Sequence, residues 1–238
     1  EYTSSQVTTM VINEKTQNNE GNVSTPYFYD AMLNDNNSKI VLWGYSMLKL
    51  DTTPNPEQFK LTKINNEGNG TVTDVSIHNV DSSIYSRTYS SYIELTVADI
   101  VDAANLRVEY TKQEGKLKHQ TGGECESFNR TVESPEEFRI RQVIVNPTAG
   151  VMFIEVSPYK ITQQNEISFD DFVVKNNGTA INLKYSENSS NNLGHVFTFI
   201  PITSGEYNFT VSYNPSTSLK DLAFDTISGP ITFTGNVT

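Results

Sequence analysis

The chain predicts an all-β fold of two tandem antiparallel β-sandwich domains joined by a short linker, with an extra strand ahead of the first. Three observations carry this expectation. Short β-branched or aromatic segments recur, among them "VSIHNV", "YIELTV", "LRVEYT", "RIRQVIV", "VMFIEV", "DFVVKN", "AINLKY", "HVFTFI" and "YNFTVSY", and Gly, Asn, Pro and Asp clusters separate them. Helical periodicity is missing: the nearest approach, "LTVADIVDAANL" at 95–106, is short and starts inside a β-branched run. The later part of the chain also repeats the earlier part, and self-similarity at domain length marks duplicated units.

The repeat places each strand in turn. Val41-Leu-Trp-Gly-Tyr-Ser-Met-Leu-Lys-Leu50 matches Met152-Phe-Ile-Glu-Val-Ser-Pro-Tyr-Lys-Ile161, which sets Trp43 against Ile154 and assigns Trp43 a sheet-packing place. Phe59 then matches Phe172. Leu106-Arg-Val-Glu-Tyr110 matches Phe209-Thr-Val-Ser-Tyr213, and the pairs Leu117-Lys118 and Leu219-Lys220 follow. Phe128 and Val132 close the first copy as Phe233 and Val237 close the second. The first sandwich is expected at 26–133 and the second at 134–238, divided where Glu133-Ser-Pro-Glu-Glu137 interrupts strand-like sequence. Residues 1–25 hold a strand-like run, Gln6 to Asn13, and a polar linker that the second copy lacks. Two accounts of that run stand side by side. It pairs within the first sandwich, or Val7, Thr9, Met10, Val11 and Ile12 dock into a neighbouring molecule by β-strand addition.

Composition narrows the partners. A net charge of −11 and a pI near 4.7 repel nucleic acid and anionic lipid. The longest apolar runs are four residues, against the roughly 20 that a membrane-spanning helix needs, so no membrane span is expected. The single cysteine, Cys125, excludes an internal disulfide and a Cys-based zinc site, and its neighbours Glu124 and Glu126 raise rather than lower a thiol pKa. An intermolecular disulfide stays open. Eight Asn-x-Ser/Thr sequons, at Asn22, Asn36, Asn69, Asn129, Asn177, Asn188, Asn208 and Asn236, are glycosylation candidates.

The segments "LKLDTTPNPEQFKL" and "ISFDDFVV", the late strands "RVEYT" and "TVSYNP", and the Leu-Lys turns closing on "SFNRTVE" and "TFTGNVT" resemble the SwmB-type Ig-like repeats of large secreted and S-layer-type proteins. The resemblance covers about residues 26–238, once per half, and implies Ig-like sandwiches in a structural or adhesive role outside the cell. It carries over no catalytic residue. Both copies depart from the repeat after the Leu-Lys pair, where Thr121-Gly-Gly123 and Ala223-Phe-Asp225 stand.

Chemistry is sparse. His78, His119 and His195 are the three histidines, and none has ligand spacing; the serine-hydrolase elbow and the common phosphate-cradling glycine motifs are missing from the sequence. Asp99 with Asp102, and Asp170 with Asp171, lie at strand-loop junctions and are the weak candidates for Ca²⁺, so calcium is the one cofactor left open. "SIYSRTYSSY" at 83–92 offers Tyr85, Tyr89 and Tyr92 as a sugar-stacking platform. Lys49 and Lys160 recur in strand-like runs, where a covalent isopeptide with Asn or Asp competes with a solvent-facing lysine. The expectation is therefore a non-enzymatic extracellular structural protein at the cell surface, a subunit of a layer or filament that self-associates by strand addition. A carbohydrate-binding or adhesin module with a glycan or host-surface ligand is the alternative.

Overall fold

The computed structural model describes residues 24–45, 49–79, 89–135, 137–157, 167–186, 194–216 and 219–238. Strands take 49% of the described residues and 3-10 turns supply what little helix there is, so the all-β expectation holds. In the first half the strands are β1 (Phe28–Leu33), β2 (Lys39–Tyr45), β3 (Leu50–Asp51), β4 (Phe59–Lys63), β5 (Thr71–Asn79), β6 (Tyr89–Ala98), β7 (Leu106–Tyr110), β8 (Lys118–His119) and β9 (Phe128–Thr131). They form antiparallel sheets in the orders β1-β2-β6-β5 and β4-β7-β9, with a small pair β3-β8. The second half holds β10 (Arg139–Asn146), β11 (Val151–Ser157), β12 (Phe172–Asn176), β13 (Thr179–Ile181), β14 (Lys184–Tyr185), β15 (Gly194–Thr198), β16 (Phe209–Tyr213) and β17 (Ile231–Thr232). These pair antiparallel as β10-β11-β15-β14 and β13-β12-β16-β17.

Each half buries its own core between its sheets. In the first, Leu33, Ile40, Leu42, Ile93 and Leu95 from one sheet meet Leu61, Leu106, Val108 and Tyr110 from the other. In the second, Val143, Met152, Ile154 and Phe197 meet Phe172, Val174, Val211 and Tyr213. Alternate residues of each strand point inward, so the inward set follows period 2, and two such faces close a sandwich-like core.

The strand pairings of the two halves match in register, and the register corrects two matches made from letters alone. Ala31 pairs with Leu42 and Leu33 with Ile40, as Val143 pairs with Ile154 and Val145 with Met152. Both hairpins carry a bulge one turn earlier, between Phe28 and Asp30 and between Ile140 and Gln142. Leu42 is therefore the counterpart of Ile154, and Trp43 is the counterpart of Glu155. The expected match of Trp43 with Ile154 is off by one residue, and one residue in a strand moves a side chain to the opposite face. At the last strand, Tyr110 pairs with Phe128 and Tyr213 with Ile231, so Phe128 matches Ile231, and Phe233 stands two positions further on, opposite Val211. That slip of two keeps the face. The match of Val132 with Val237 holds, because Glu133 and Thr238 make the same pair of bonds to the first strand of their halves. Glu133 N–H donates to Ala31 O at 2.9 Å and Leu33 N–H to Glu133 O at 2.8 Å; Thr238 N–H donates to Val143 O at 3.2 Å and Val145 N–H to Thr238 O at 2.7 Å.

"LTVADIVDAANL" becomes the end of β6 and the three-residue 3-10 turn Ala103–Asn105. Asn69 ties that turn down. Its Nδ2 donates to Asp102 O at 2.6 Å, and its Oδ1 accepts from the amides of Val101 (3.0 Å) and Asp102 (2.9 Å). Asn69 is fully buried, so as a glycosylation candidate it is corrected: the side chain closes a loop and no glycan fits there in the folded chain.

His195 occupies an inward position of β15 opposite Ile154, where the first half has Ile93 opposite Leu42. It packs 5.0 Å from the Phe169 ring and 6.3 Å from that of Phe172, and burial lowers its pKa. A histidine depressed in the folded state takes up its proton more readily when unfolded. Stability is then present above the ordinary histidine pKa of 6.5 and is lost as pH falls through it toward the folded value. His195→Leu is expected to flatten the acid limb of the second half's thermal stability between pH 7 and pH 5. An unchanged pH profile would show that His195 is not the titrating group.

Candidate functional site

Strand β2 reads Lys39-Ile-Val-Leu-Trp-Gly-Tyr45, apolar at both parities, so both faces of the sheet need a cover. The inward parity is the core described above. The outward parity is Val41 and Trp43, which stand beside Met32 of β1 and Tyr92 of β6. All of Met32, Val41 and Trp43 are nonetheless buried, because the turn of the second half that follows Leu219 lies across them. Leu222 and Ala223 complete the cluster, with Phe224 packed against it.

The contact is specific. Trp43 Nε1 donates to Leu222 O at 2.8 Å in a buried setting, and Asp35 N–H donates to Asp225 Oδ2 at 2.6 Å. The Trp43 ring lies 4.9 Å from Tyr92 and 5.6 Å from Phe224, and Tyr92 in turn stacks on His78 at 4.5 Å. Ring pairs at such spacing each add about 0.5–1.5 kcal/mol beyond the area they bury. The turn is braced from within, since Asp221 Oδ1 accepts from Ala223 N–H at 2.8 Å and from Asp225 N–H at 3.0 Å. Burial raises the pKa of Asp221 despite those two bonds, and the carboxylates of Asp225 and Asp35 push the same way.

The first half builds the same turn. Lys118 bridges Glu124 as Lys220 bridges Thr226, and Gly122 N–H donates to His119 O as Phe224 N–H donates to Asp221 O. The tips differ: Gln120-Thr-Gly122 in the first half, Leu222-Ala-Phe224 in the second. Gly122 has φ +94° and Phe224 has φ +65°. A residue with a Cβ gives up about 1–2 kcal/mol in that left-handed region. The Phe224 ring is the compensating gain, set against Trp43 and Tyr92.

The candidate residues named from sequence scatter. Asp99 is exposed, and Asp102 Oδ2 accepts from Asn105 Nδ2 at 3.0 Å. Asp170 is exposed, whereas Asp171 is buried and its Oδ2 accepts from Ser216 N–H (2.9 Å), Ser216 Oγ (3.0 Å) and Tyr213 Oη (3.5 Å). Among the described residues no three or more His, Cys, Asp or Glu side chains gather as a metal ligand set. Cys125 is a core residue whose thiol burial pushes up to about 12, with Glu126 adding to the shift. Its place is matched by Ile227, since each donates its amide to the leucine that opens the turn. His119 is buried with Nδ1 2.7 Å from Thr121 Oγ1. Lys49 faces solvent. Asn36, Asn129, Asn177, Asn208 and Asn236 are exposed. Tyr92 is engaged in the contact between the halves rather than offered to a sugar. Val7, Thr9, Met10, Val11, Ile12, Asn22, Tyr85, Lys160, Asn188 and the Tyr89 side chain lie outside the described residues.

Reading the sequence missed Met32, Val41 and the whole apolar tip of the second turn. The signal was there: apolar residues at both parities of β2, and Leu-Ala-Phe replacing Gln-Thr-Gly in otherwise matched turns. Trp43 is the sole tryptophan, so its emission reports this contact. Leu222→Asp is expected to red-shift native emission with far-UV circular dichroism unchanged, because a buried charge opens the contact but leaves both cores. Trp43→Phe is expected to lose about 1–3 kcal/mol in urea unfolding, since it leaves the Leu222 carbonyl without its donor. No shift in the first variant would remove Leu222 from the shield around Trp43. No protein-family model matches the chain, and no curated protein is significantly similar to it.

Proposed function

We propose that the chain is a non-enzymatic structural protein of the cell exterior, a pair of Ig-like sandwiches that serves as a subunit of a surface layer or filament. The observation that carries the reading is the contact built on Trp43 and Leu222. Two like units stand in sequence, and a buried aromatic cluster with two hydrogen bonds fixes one against the other. A short linker alone would leave their angle loose. The added lock makes a stiff element, the property that a lattice or filament subunit needs and a flexible tether does not.

The strand-like run at 6–13 supplies the joining step in this reading, by adding to an open sheet edge of a neighbour. β13 and β17, of three and two residues, end one sheet of the second half and leave such an edge short of partners along its length. Deleting residues 1–19 is expected to abolish polymers seen by negative-stain microscopy, with Trp43 emission and the thermal transition retained. Polymers that persist in the deletion variant would rule out strand addition.

A further inference from the structure

Each half carries one outer sheet face and one turn that can cover such a face. The contact within the chain uses the face of the first half and the turn of the second. Among the described residues, the face of the second half and the turn of the first are left over.

The leftover face is apolar. Ile144 and Phe153 are direct cross-strand partners, Phe153 pairs onward with Val196, and Val151 lies two residues along β11 on the same side. These positions match Met32, Val41, Glu94 and Lys39 of the first half, so the Lys39–Glu94 ion pair there, at 3.0 Å, is replaced by two valines here. Met32 is 3% exposed under its turn, whereas its counterpart Ile144 is 43% exposed and Val151 is 36% exposed. Where the first half has Tyr92, the second has Gly194, and the Phe153 ring lies over it: a Cβ at Gly194 would sit 2.1 Å from the Phe153 Cζ. The ring is thereby laid flat along the face. Past the end of β10 a cleft of about 480 Å³ opens between Pro147, Tyr207 and Thr238. Pro147 is the counterpart of Asp35, which binds the second half within the chain.

The leftover turn is that of the first half, between Leu117 and Cys125. Its tip, Gln120-Thr-Gly122, is exposed, and Thr121 Oγ1 accepts from Ser24 N–H at 2.8 Å, just ahead of β1. Two large exposed rings follow at the start of β1, Tyr27 and Tyr29, set edge to face at 4.3 Å. Arg130 lies over Tyr27 at 4.9 Å and holds it in place.

We propose that the outer face of the second half, centred on Ile144, Val151 and Phe153, receives a second copy of this chain, which enters with the end formed by Gln120–Gly122, Tyr27 and Tyr29. One chain leaves both surfaces over, because its internal contact takes the face of the first half and the turn of the second. A second copy supplies each to the other. The contact joins unlike surfaces, so it repeats from copy to copy and extends as an open line rather than closing as a two-fold dimer. It rests on the structural-subunit reading and adds a reversible end contact to it, read in concentrated solution, beside the strand addition that holds polymers together on a microscopy grid.

The test uses the chain without residues 1–19, a deletion that removes none of the described residues and takes strand addition out of the measurement, both unaltered and in two exposed-face variants: Ile144→Glu with Val151→Glu, and Tyr27→Ser with Tyr29→Ser. Circular dichroism and Trp43 emission confirm folding, and weight-average mass is followed by analytical ultracentrifugation over a concentration series. The expected result is a mass that climbs past dimer for the unaltered chain, monomer for each variant alone, and dimer but nothing larger for an equimolar mixture, where one good end of each remains. A monomeric unaltered chain, association that survives in either variant alone, or a mixture that stays monomeric would overturn the proposal. Whichever of those results is obtained, polymers of the full chain that vanish on deleting residues 1–19 would leave assembly by strand addition standing.

Discussion

One indole N–H sets how the two halves meet. Trp43 stands on the outer side of its sheet, and burying its Nε1 without an acceptor would cost about 1–3 kcal/mol. The acceptor is the carbonyl of Leu222, at the tip of a turn about a hundred and eighty residues later in the chain. Meeting that bond brings Leu222 and Ala223 onto Met32 and Val41, and puts Asp225 within reach of the Asp35 amide. The same cover completes the burial of β2, whose apolar residues point both ways. The lock and the fold of the first sheet are therefore one energetic unit.

Matched strand pairings supply the frame of both halves, and a few differing side chains supply the asymmetry. Both turns use the same backbone bonds and the same left-handed position. Glycine occupies that position where the turn faces outward, and Phe224 occupies it where the ring has Trp43 and Tyr92 to pack against. Backbone strain is tolerated where tertiary contacts over-determine it. The faces diverged in step, with Trp43 and Tyr92 on one and Glu155 and Gly194 on the other.

Much of the fold is legible because β-strands announce themselves locally. The segments "LRVEYT", "VMFIEV" and "YNFTVSY" contain β7, β11 and β16, and the Leu-Lys pairs mark matched turns. The face of a residue is harder to read. A letter match that slides by one position keeps the strand and reverses the side, and this is how Trp43 came to be set against Ile154 rather than Glu155. Buried polar residues are harder still. Asn69 looks like any other sequon, and only its three bonds to the 101–102 backbone show it to be a loop clamp. Asp171 looks like half of a cation site until Ser216 and Tyr213 are seen to use its oxygen.

The sequence by itself determined the all-β class and the strand-forming segments, since these follow from propensity and alternation, both of which act over a few residues. Its short apolar runs also agree with the described residues, none of whose helices is long and apolar enough to cross a membrane. Only the tertiary structure decided what Trp43 is for, because its hydrogen-bond acceptor lies in the other half of the chain. It alone decided which faces are covered and which remain open. Contacts between residues far apart in sequence depend on the register of every strand between them, and register is settled by packing, not by local pattern.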